Sequence, residues 1–123
     1  DFTGIPEAGR GGRIRVVADP VTAATYTVHL AHAIVKLLKL KRTGVVHVSA
    51  AGQCTWFGFA RAIAERMKSD ADIEPIATER LNQPARRPLY SVLDKRRFNF
   101  WTSTRMPSWE TGLDEYMKQK GLV

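Results

Sequence analysis

Val45-Val46-His47-Val48-Ser49-Ala50-Ala51-Gly52-Gln53-Cys54-Thr55-Trp56-Phe57-Gly58-Phe59-Ala60 is a compact apolar run that gives way to helical spacing. Val45 to Ala50 carries the pattern of a strand covered on both faces, as in parallel α/β sheets. The helix that follows is predicted to open at Thr55, with Trp56, Phe59, Ala60, Ile63 and Met67 on its apolar stripe. A strand feeding a helix within so few residues points to an α/β chain.

The segments on either side repeat the pattern. Arg13 to Ala18 is β-branched and partly alternating, and Asp19-Pro20 closes it as a strand ending in a turn. Thr25 is the predicted N-cap of the next helix, with Tyr26, Leu30, Ala33, Ile34, Leu37 and Leu38 inside and Gly44 as its stop. Downstream, Asp70 to Asp72 turn the chain into an extended piece, Ile73 to Thr78. Glu79 to Pro88, with Asn82, Pro84 and Pro88, is predicted to be an irregular loop. Leu89 to Leu93 reads as a further short strand and Asp94 to Phe100 as a helical turn. Ser108 caps a last helix with Trp109, Leu113, Tyr116 and Met117 inside and Gly121 at its end. Residues 1–12, with four glycines and a proline, read as a loop or a cut end. A single α/β domain is expected over 13–123, a small mixed or parallel sheet with flanking helices. Three or four strands are few for an open sheet, so the chain reads like part of something larger.

The 123 residues are 44% apolar and 25% charged, the composition of an ordinary globular domain. No apolar run approaches the ~20 residues of a membrane span, and no secretory pattern opens the chain. The lone Cys54 excludes an intrachain disulfide and fits a reducing compartment, so the cytoplasm is the expected location. A net charge of +7 calls for an anionic partner.

The candidate sites sort by spacing. Neither G-x-G-x-x-G nor G-x-x-x-x-G-K-[ST] is present, so no dinucleotide turn is encoded. His29 and His32 lack a third metal ligand and read as packed or solvent-facing side chains, and His47 as a buried neutral imidazole. Cys54 reads as filler near Trp56. Ser49, His47 and the aspartates lack a nucleophile elbow. No catalytic constellation and no metal site is expected. The basic residues carry more: Arg86 and Arg87 lie in a proline-flanked loop, and Lys95, Arg96 and Arg97 follow within ten residues. Arginine's planar fork suits bidentate phosphate contacts, and loops at strand ends are where α/β folds hold such ligands.

Four strings then resemble a known family. Val17-Ala18-Asp19 through Thr25-Tyr26 to Leu30-Ala31, Val48 to Ala60, Pro84-Ala85-Arg86-Arg87-Pro88-Leu89-Tyr90-Ser91-Val92-Leu93-Asp94, and Pro107-Ser108-Trp109 are similar, in order and spacing, to the C-terminal part of the dTDP-4-dehydrorhamnose reductase family. These are extended short-chain dehydrogenases that reduce a 4-keto sugar nucleotide with NADPH or NADH in making dTDP-L-rhamnose. The resemblance covers nearly the whole chain after about Arg13 and implies an incomplete Rossmann-type fold. It implies that the Gly-rich turn and the Tyr-x-x-x-Lys pair lie upstream of Asp1, that the chain alone is not catalytic, and that Tyr116 and Lys120, which fit the pair formally, are one core tyrosine and one surface lysine.

The resemblance further implies that Arg87 and Ser91 face a nucleotide sugar, Arg87 at the diphosphate, with Arg86 beside it and Thr25 and Tyr26 bordering the cleft. Departures from the family pattern fall in the same places. Asp19 to Thr25 keeps only the ends of Asp-Gln-x-Gly-x-Pro-Thr, and Arg87-Pro88-Leu89-Tyr90-Ser91 places a phenol where Arg-Pro-x-Asn-Ser has an amide. The implied partners are a dTDP-sugar and either a cofactor-binding half or further copies of the chain that cover the 45–50 strand. A basic nucleic-acid-binding or assembly module is the alternative. No nucleic-acid motif supports it, and the aromatics fall on predicted core stripes.

Overall fold

The computed structural model describes residues 13–123; the loop expected over 1–12 lies outside them. In chain order they form β1 (Arg13–Val17), β2 (Val21–Thr22), α1 (Thr27–Lys39), β3 (Cys54–Thr55), α2 (Trp56–Arg66), β4 (Asp72–Ile76), a 3₁₀ turn (Thr78–Leu81), α3 (Arg96–Thr102) and α4 (Trp109–Gln119). They divide into two compact units, one of 13–22, Cys54–Ser91 and Leu122–Val123, the other of Ala23–Gln53 and Val92–Gly121.

In the first unit β1 and β4 pair in parallel, Arg13 opposite Asp72 through Val17 opposite Ile76. The alternation in β1 turns Ile14 and Val16 inward and leaves Arg13 and Arg15 exposed. Arg13 reaches Glu74 at 3.2 Å and Asp72 at 3.5 Å, exposed pairs that fix register more than they add stability. Pro75 is tolerated because a two-stranded sheet has only edge strands. Helix α2 packs on both strands. Thr55 caps it as predicted, its Oγ1 accepting from the Gly58 amide at 2.9 Å. Ala60, Ala62 and Ala64 are its buried residues, while Trp56, Phe59, Ile63 and Met67 are half-buried. The second sheet, β2 antiparallel to β3, is two residues long on each strand.

Two predicted strands are corrected. Leu89 to Leu93 forms one bridge, Tyr90 to Val21, because β2 ends at Thr22 and offers no backbone beyond it. Val45 to Ala50, expected as a covered strand, joins no ladder among the described residues, since no strand lies alongside to supply partners. Its groups are met piecemeal. Arg97 donates to the Val45 carbonyl at 2.8 Å, and the Ala50 amide donates to Thr25 Oγ1 at 3.0 Å. Ala51 bridges Ser108 through Ala51 N to Pro107 O (2.9 Å) and Trp109 N to Ala51 O (3.1 Å). His47 is exposed, not buried, because Val46 and Val48 on either side of it take the inward positions against the core.

The core of the second unit joins Ala33, Phe98 and Met106, flanked by Leu37, Val46 and Val48. Thr25 is not the cap of α1. Its hydroxyl accepts from Ala50 and donates to the Ala23 carbonyl, and the helix starts after Tyr26 with no side-chain cap. The predicted stripe is narrower than expected. Leu30, Ala33 and Leu37 face inward, while Ile34 and Leu38 (73% exposed) lie with Val35 on an uncovered outer face. Lys41, with φ 53, makes the left-handed step expected of Gly44.

Helix α4 is capped by Ser108, which accepts from the Thr111 amide at 3.1 Å, and ends at Gly121 with φ 68. Leu113 and Met117 are buried as predicted. Tyr116 is 44% exposed, not core, because its ring lies edge-on to Tyr26 at the rim of the helix pair. Gly112 lets the helices meet there: a Cβ on it would stand 2.9 Å from Tyr26 Cβ. Tyr26 OH donates to Gln119 Oε1, and His29 Nε2 lies 2.7 Å from Glu115 Oε2.

Asp94 organises the entry to α3, accepting from the Arg96 amide at 3.0 Å and from its guanidinium at 2.6 Å. The Arg96 side chain, followed by its amide, lowers the Asp94 carboxyl from 3.8 to about 2.

Gly112→Ala is expected to destabilise the fold by about 1–3 kcal/mol, the cost of overpacking a fixed contact, read as a lower urea midpoint. A carboxyl depressed by folding contributes stability above its unfolded value, and that contribution disappears as pH falls through the folded one. Asp94→Asn should therefore lower the urea midpoint at pH 7, and the gap to the parent chain should close as pH falls from 3.8 towards about 2. An unchanged gap at low pH would show that the carboxylate charge is not the source.

Candidate functional site

The parallel pair of β1 and β4 sets the site, because loops leaving the carboxyl ends of parallel strands are where α/β folds gather ligand-binding groups. Both ends are tied together. Ala18 N donates to Ile76 O at 3.0 Å, and beyond it the Asp19 carboxylate accepts from Thr78 Oγ1 at 2.6 Å and Thr78 N at 3.1 Å. The Thr78 hydroxyl bond, the largest cause, lowers the Asp19 pKa. A shallow open groove lined by Arg15, Glu74, Ile76 and Arg80 runs beside this junction.

From Thr78 the chain makes a 3₁₀ turn, and Asn82 ends it in the left-handed region at φ 47. Asparagine suits that conformation because its short amide tolerates it. The loop then carries Arg86 and Arg87, both exposed, with no carboxylate in ion-pair range of either guanidinium among the described residues. It is fastened again at Val21, whose amide donates to Leu89 O at 2.8 Å and whose carbonyl accepts from Ser91 N at 2.9 Å. Ser91 Oγ donates to the same carbonyl at 3.3 Å, which leaves its lone pairs as acceptors. Two free guanidiniums thus sit on a loop anchored at both ends, an arrangement suited to an anion.

The five residues singled out from sequence fall in different places. Arg86, Arg87 and Ser91 share one stretch of the first unit, whereas Thr25 and Tyr26 belong to the second. There both hydroxyls are engaged, Thr25 with Ala23 and Ala50, Tyr26 with Gln119. The second basic cluster is structural. Lys95 Nζ donates to Leu93 O at 3.2 Å, Arg96 holds Asp94, and Arg97 is bound to Val45 O and lies 5.8 Å from the Trp101 centroid. Arg42 lies over the same ring at 5.1 Å. His29 is buried against Glu115 and His32 is exposed, and the described residues contain no group of three metal-ligating side chains. Cys54 is half-buried in β3. Sequence reasoning missed the Asp19–Thr78 clamp, for which an acid after a strand and before a proline was the available signal, and the two-residue β2 that fastens the loop.

A family model described as the RmlD substrate binding domain matches residues 5–121. The chain is 36% identical over 107 residues to the spore coat polysaccharide biosynthesis protein SpsK of Bacillus subtilis, covering 87% of this chain and 37% of that one. It is 33% identical over 110 residues to the dTDP-4-dehydrorhamnose reductase of Mycolicibacterium smegmatis, covering 88% and 34%. Its fold is similar to the crystal structure of dTDP-4-dehydrorhamnose reductase from Bacillus anthracis in complex with NADP, with a TM-score of 0.84, 34% identity and coverage of 89% and 39%. The ortholog from Clostridium acetobutylicum gives the same TM-score at 32% identity, covering 90% and 40%. The chain spans less than half the length of these relatives. Its fold, its motif order and the family match agree: the chain belongs to the dTDP-4-dehydrorhamnose reductase family, as its RmlD substrate binding domain.

Proposed function

We propose that the chain is the sugar-nucleotide-binding portion of a keto-sugar reductase of dTDP-rhamnose metabolism, acting in the cytoplasm and catalytic only with a cofactor-binding part. The observation that carries this is the pair Arg86 and Arg87, exposed and free of carboxylates on a loop fixed by the Asp19–Thr78 clamp and by Val21. Arg87, followed by Pro88, meets the diphosphate, Arg86 adds charge beside it, and Ser91 offers acceptor lone pairs and holds the loop. Thr25 and Tyr26 are left out of the ligand set, since their hydroxyls are already bonded in their own unit.

The described residues do not fit a nicotinamide dinucleotide. Such a cofactor needs a Gly-rich turn between strand and helix, and the β3–α2 junction is instead Cys54-Thr55-Trp56, with the Thr55 hydroxyl already on the first-turn amide. NADP binding in the Bacillus anthracis relative is therefore assigned here to a part beyond these residues. Two features support such a part: the outer apolar face of α1 at Ile34, Val35 and Leu38, and the Val45 to Ala50 run without a ladder. Both are surfaces that gain from being covered. No described helix is long and apolar enough to cross a membrane.

Calorimetric titration with dTDP and dTDP-rhamnose tests the assignment. Binding is expected, weakened about tenfold or more by Arg87→Ala, the loss of charge-assisted hydrogen bonds, with no heat from NADPH. Equal affinity in the parent chain and Arg87→Ala would remove the diphosphate role, and steeply salt-dependent binding of a DNA duplex in place of dTDP would select the nucleic-acid alternative.

A further inference from the structure

The loop that carries Arg86 and Arg87 is closed at its neck. Thr78 is held by the Asp19 carboxylate, through Oγ1 at 2.6 Å and the amide at 3.1 Å, and Leu89 and Ser91 are held by the backbone of Val21 at 2.8 and 2.9 Å. Asp19 and Val21 are two residues apart, so their Cα atoms stand at most about 7 Å from each other. A stretch fastened at both ends so near one place is an Ω-loop, a form that frequently carries function. Two arginines flank the neck: Arg80 lies two residues beyond Thr78, and Arg87 two residues before Leu89.

Arg80 is fixed and unspent. Its amide donates to Ala77 O at 3.0 Å within the 3₁₀ turn, and its side chain is exposed and lines the groove at the carboxyl ends of β1 and β4. Three carboxylates share this part of the unit. Glu74, on the groove wall, is met by Arg13 at 3.2 Å and Arg15 at 3.9 Å, Asp19 is bonded to Thr78, and Glu79 is exposed beside Arg80 on the turn. Among the described residues none of them is in ion-pair range of the Arg80 guanidinium. An arginine left over in this way offers its fork to an anion, at the strand ends where α/β folds hold their ligands. One guanidinium forks onto one phosphate, and a diphosphate has two.

We propose that Arg80 is the second diphosphate residue of this chain, gripping one phosphate from the groove side of the neck while Arg87 holds the other. This deepens the sugar-nucleotide assignment above and rests on it. Its consequence is selection. A nucleoside monophosphate has one phosphate group to give, so it engages Arg87 and leaves Arg80 unused.

The test is calorimetric titration of the chain with dTDP, dTMP and inorganic pyrophosphate. The parent chain is expected to bind dTDP about tenfold or more tightly than dTMP, the scale of one charge-assisted contact. Arg80→Ala is expected to abolish that preference and to weaken pyrophosphate to the same degree, while dTMP affinity stays at the parent's value. Arg87→Ala weakens all three ligands. Lys120→Ala, which removes one exposed charge in the second unit, changes none of them. Arg80 has no side-chain bond to lose, so its variant keeps the parent's urea midpoint. Parent-like dTDP affinity in Arg80→Ala, an equal loss for dTMP and dTDP, or a parent chain with no preference for dTDP overturns the second-phosphate role and leaves the sugar-nucleotide assignment standing. Pyrophosphate binding that depends on Arg80, with dTDP bound no more tightly, supports the diphosphate contact and removes the nucleoside. A parent chain that binds neither dTDP nor pyrophosphate overturns both.

Discussion

The backbone of Val21 is the point on which the candidate site depends. Its amide and carbonyl are both committed to the Leu89–Ser91 stretch, while β2 pairs with β3 on the other side. Two residues of strand thereby hold one end of a loop that would otherwise be fixed only at Thr78. A ligand that must order a free loop loses affinity to the ordering entropy, whereas one that meets a loop already pinned does not. The pinning explains how an irregular stretch rich in proline can present arginines in one place. It also explains why β2 is so short: Val21 has to face two partners, and Pro20 on one side and the departure towards α1 on the other leave no room to extend the ladder.

The same logic separates the two basic clusters, which look alike in sequence. Arg97 ends on a carbonyl that has no strand to bond it, and its guanidinium shares the Trp101 ring with Arg42. Arg96 is consumed by Asp94, which it holds down to about 2. These cations complete the second unit. Arg86 and Arg87 complete nothing in theirs, and flanking prolines remove the amides through which the loop could have formed regular structure.

Local signals in the sequence were legible where neighbouring residues decide the outcome. The strand at Arg13, the caps at Thr55 and Ser108, the glycine end at Gly121 and the α/β order all follow from residues within one or two turns of each other. Failures came where distant backbone decides. Val45 to Ala50 has every property of a covered strand except a neighbour among the described residues, and composition cannot supply one. Thr25 has the right side chain for a cap, but the Ala50 amide, left without a ladder partner, takes its oxygen first. One missing strand partner thus accounts for both errors. Tyr116 failed differently: helical spacing placed it on the inner face, but Gly112 brings α4 so near Tyr26 that the larger ring is left at the rim.

For the site, legibility was partial for a related reason. Arg87 and Ser91 could be picked out because they lie in one continuous string whose order carries the resemblance, and the structure keeps that string together. Thr25 and Tyr26 were joined to them by motif alone, and the structure gives their hydroxyls other work. A family string is read as continuous sequence, so it carries residues that folding keeps together in one unit and is silent on hydroxyls that distant backbone commits elsewhere.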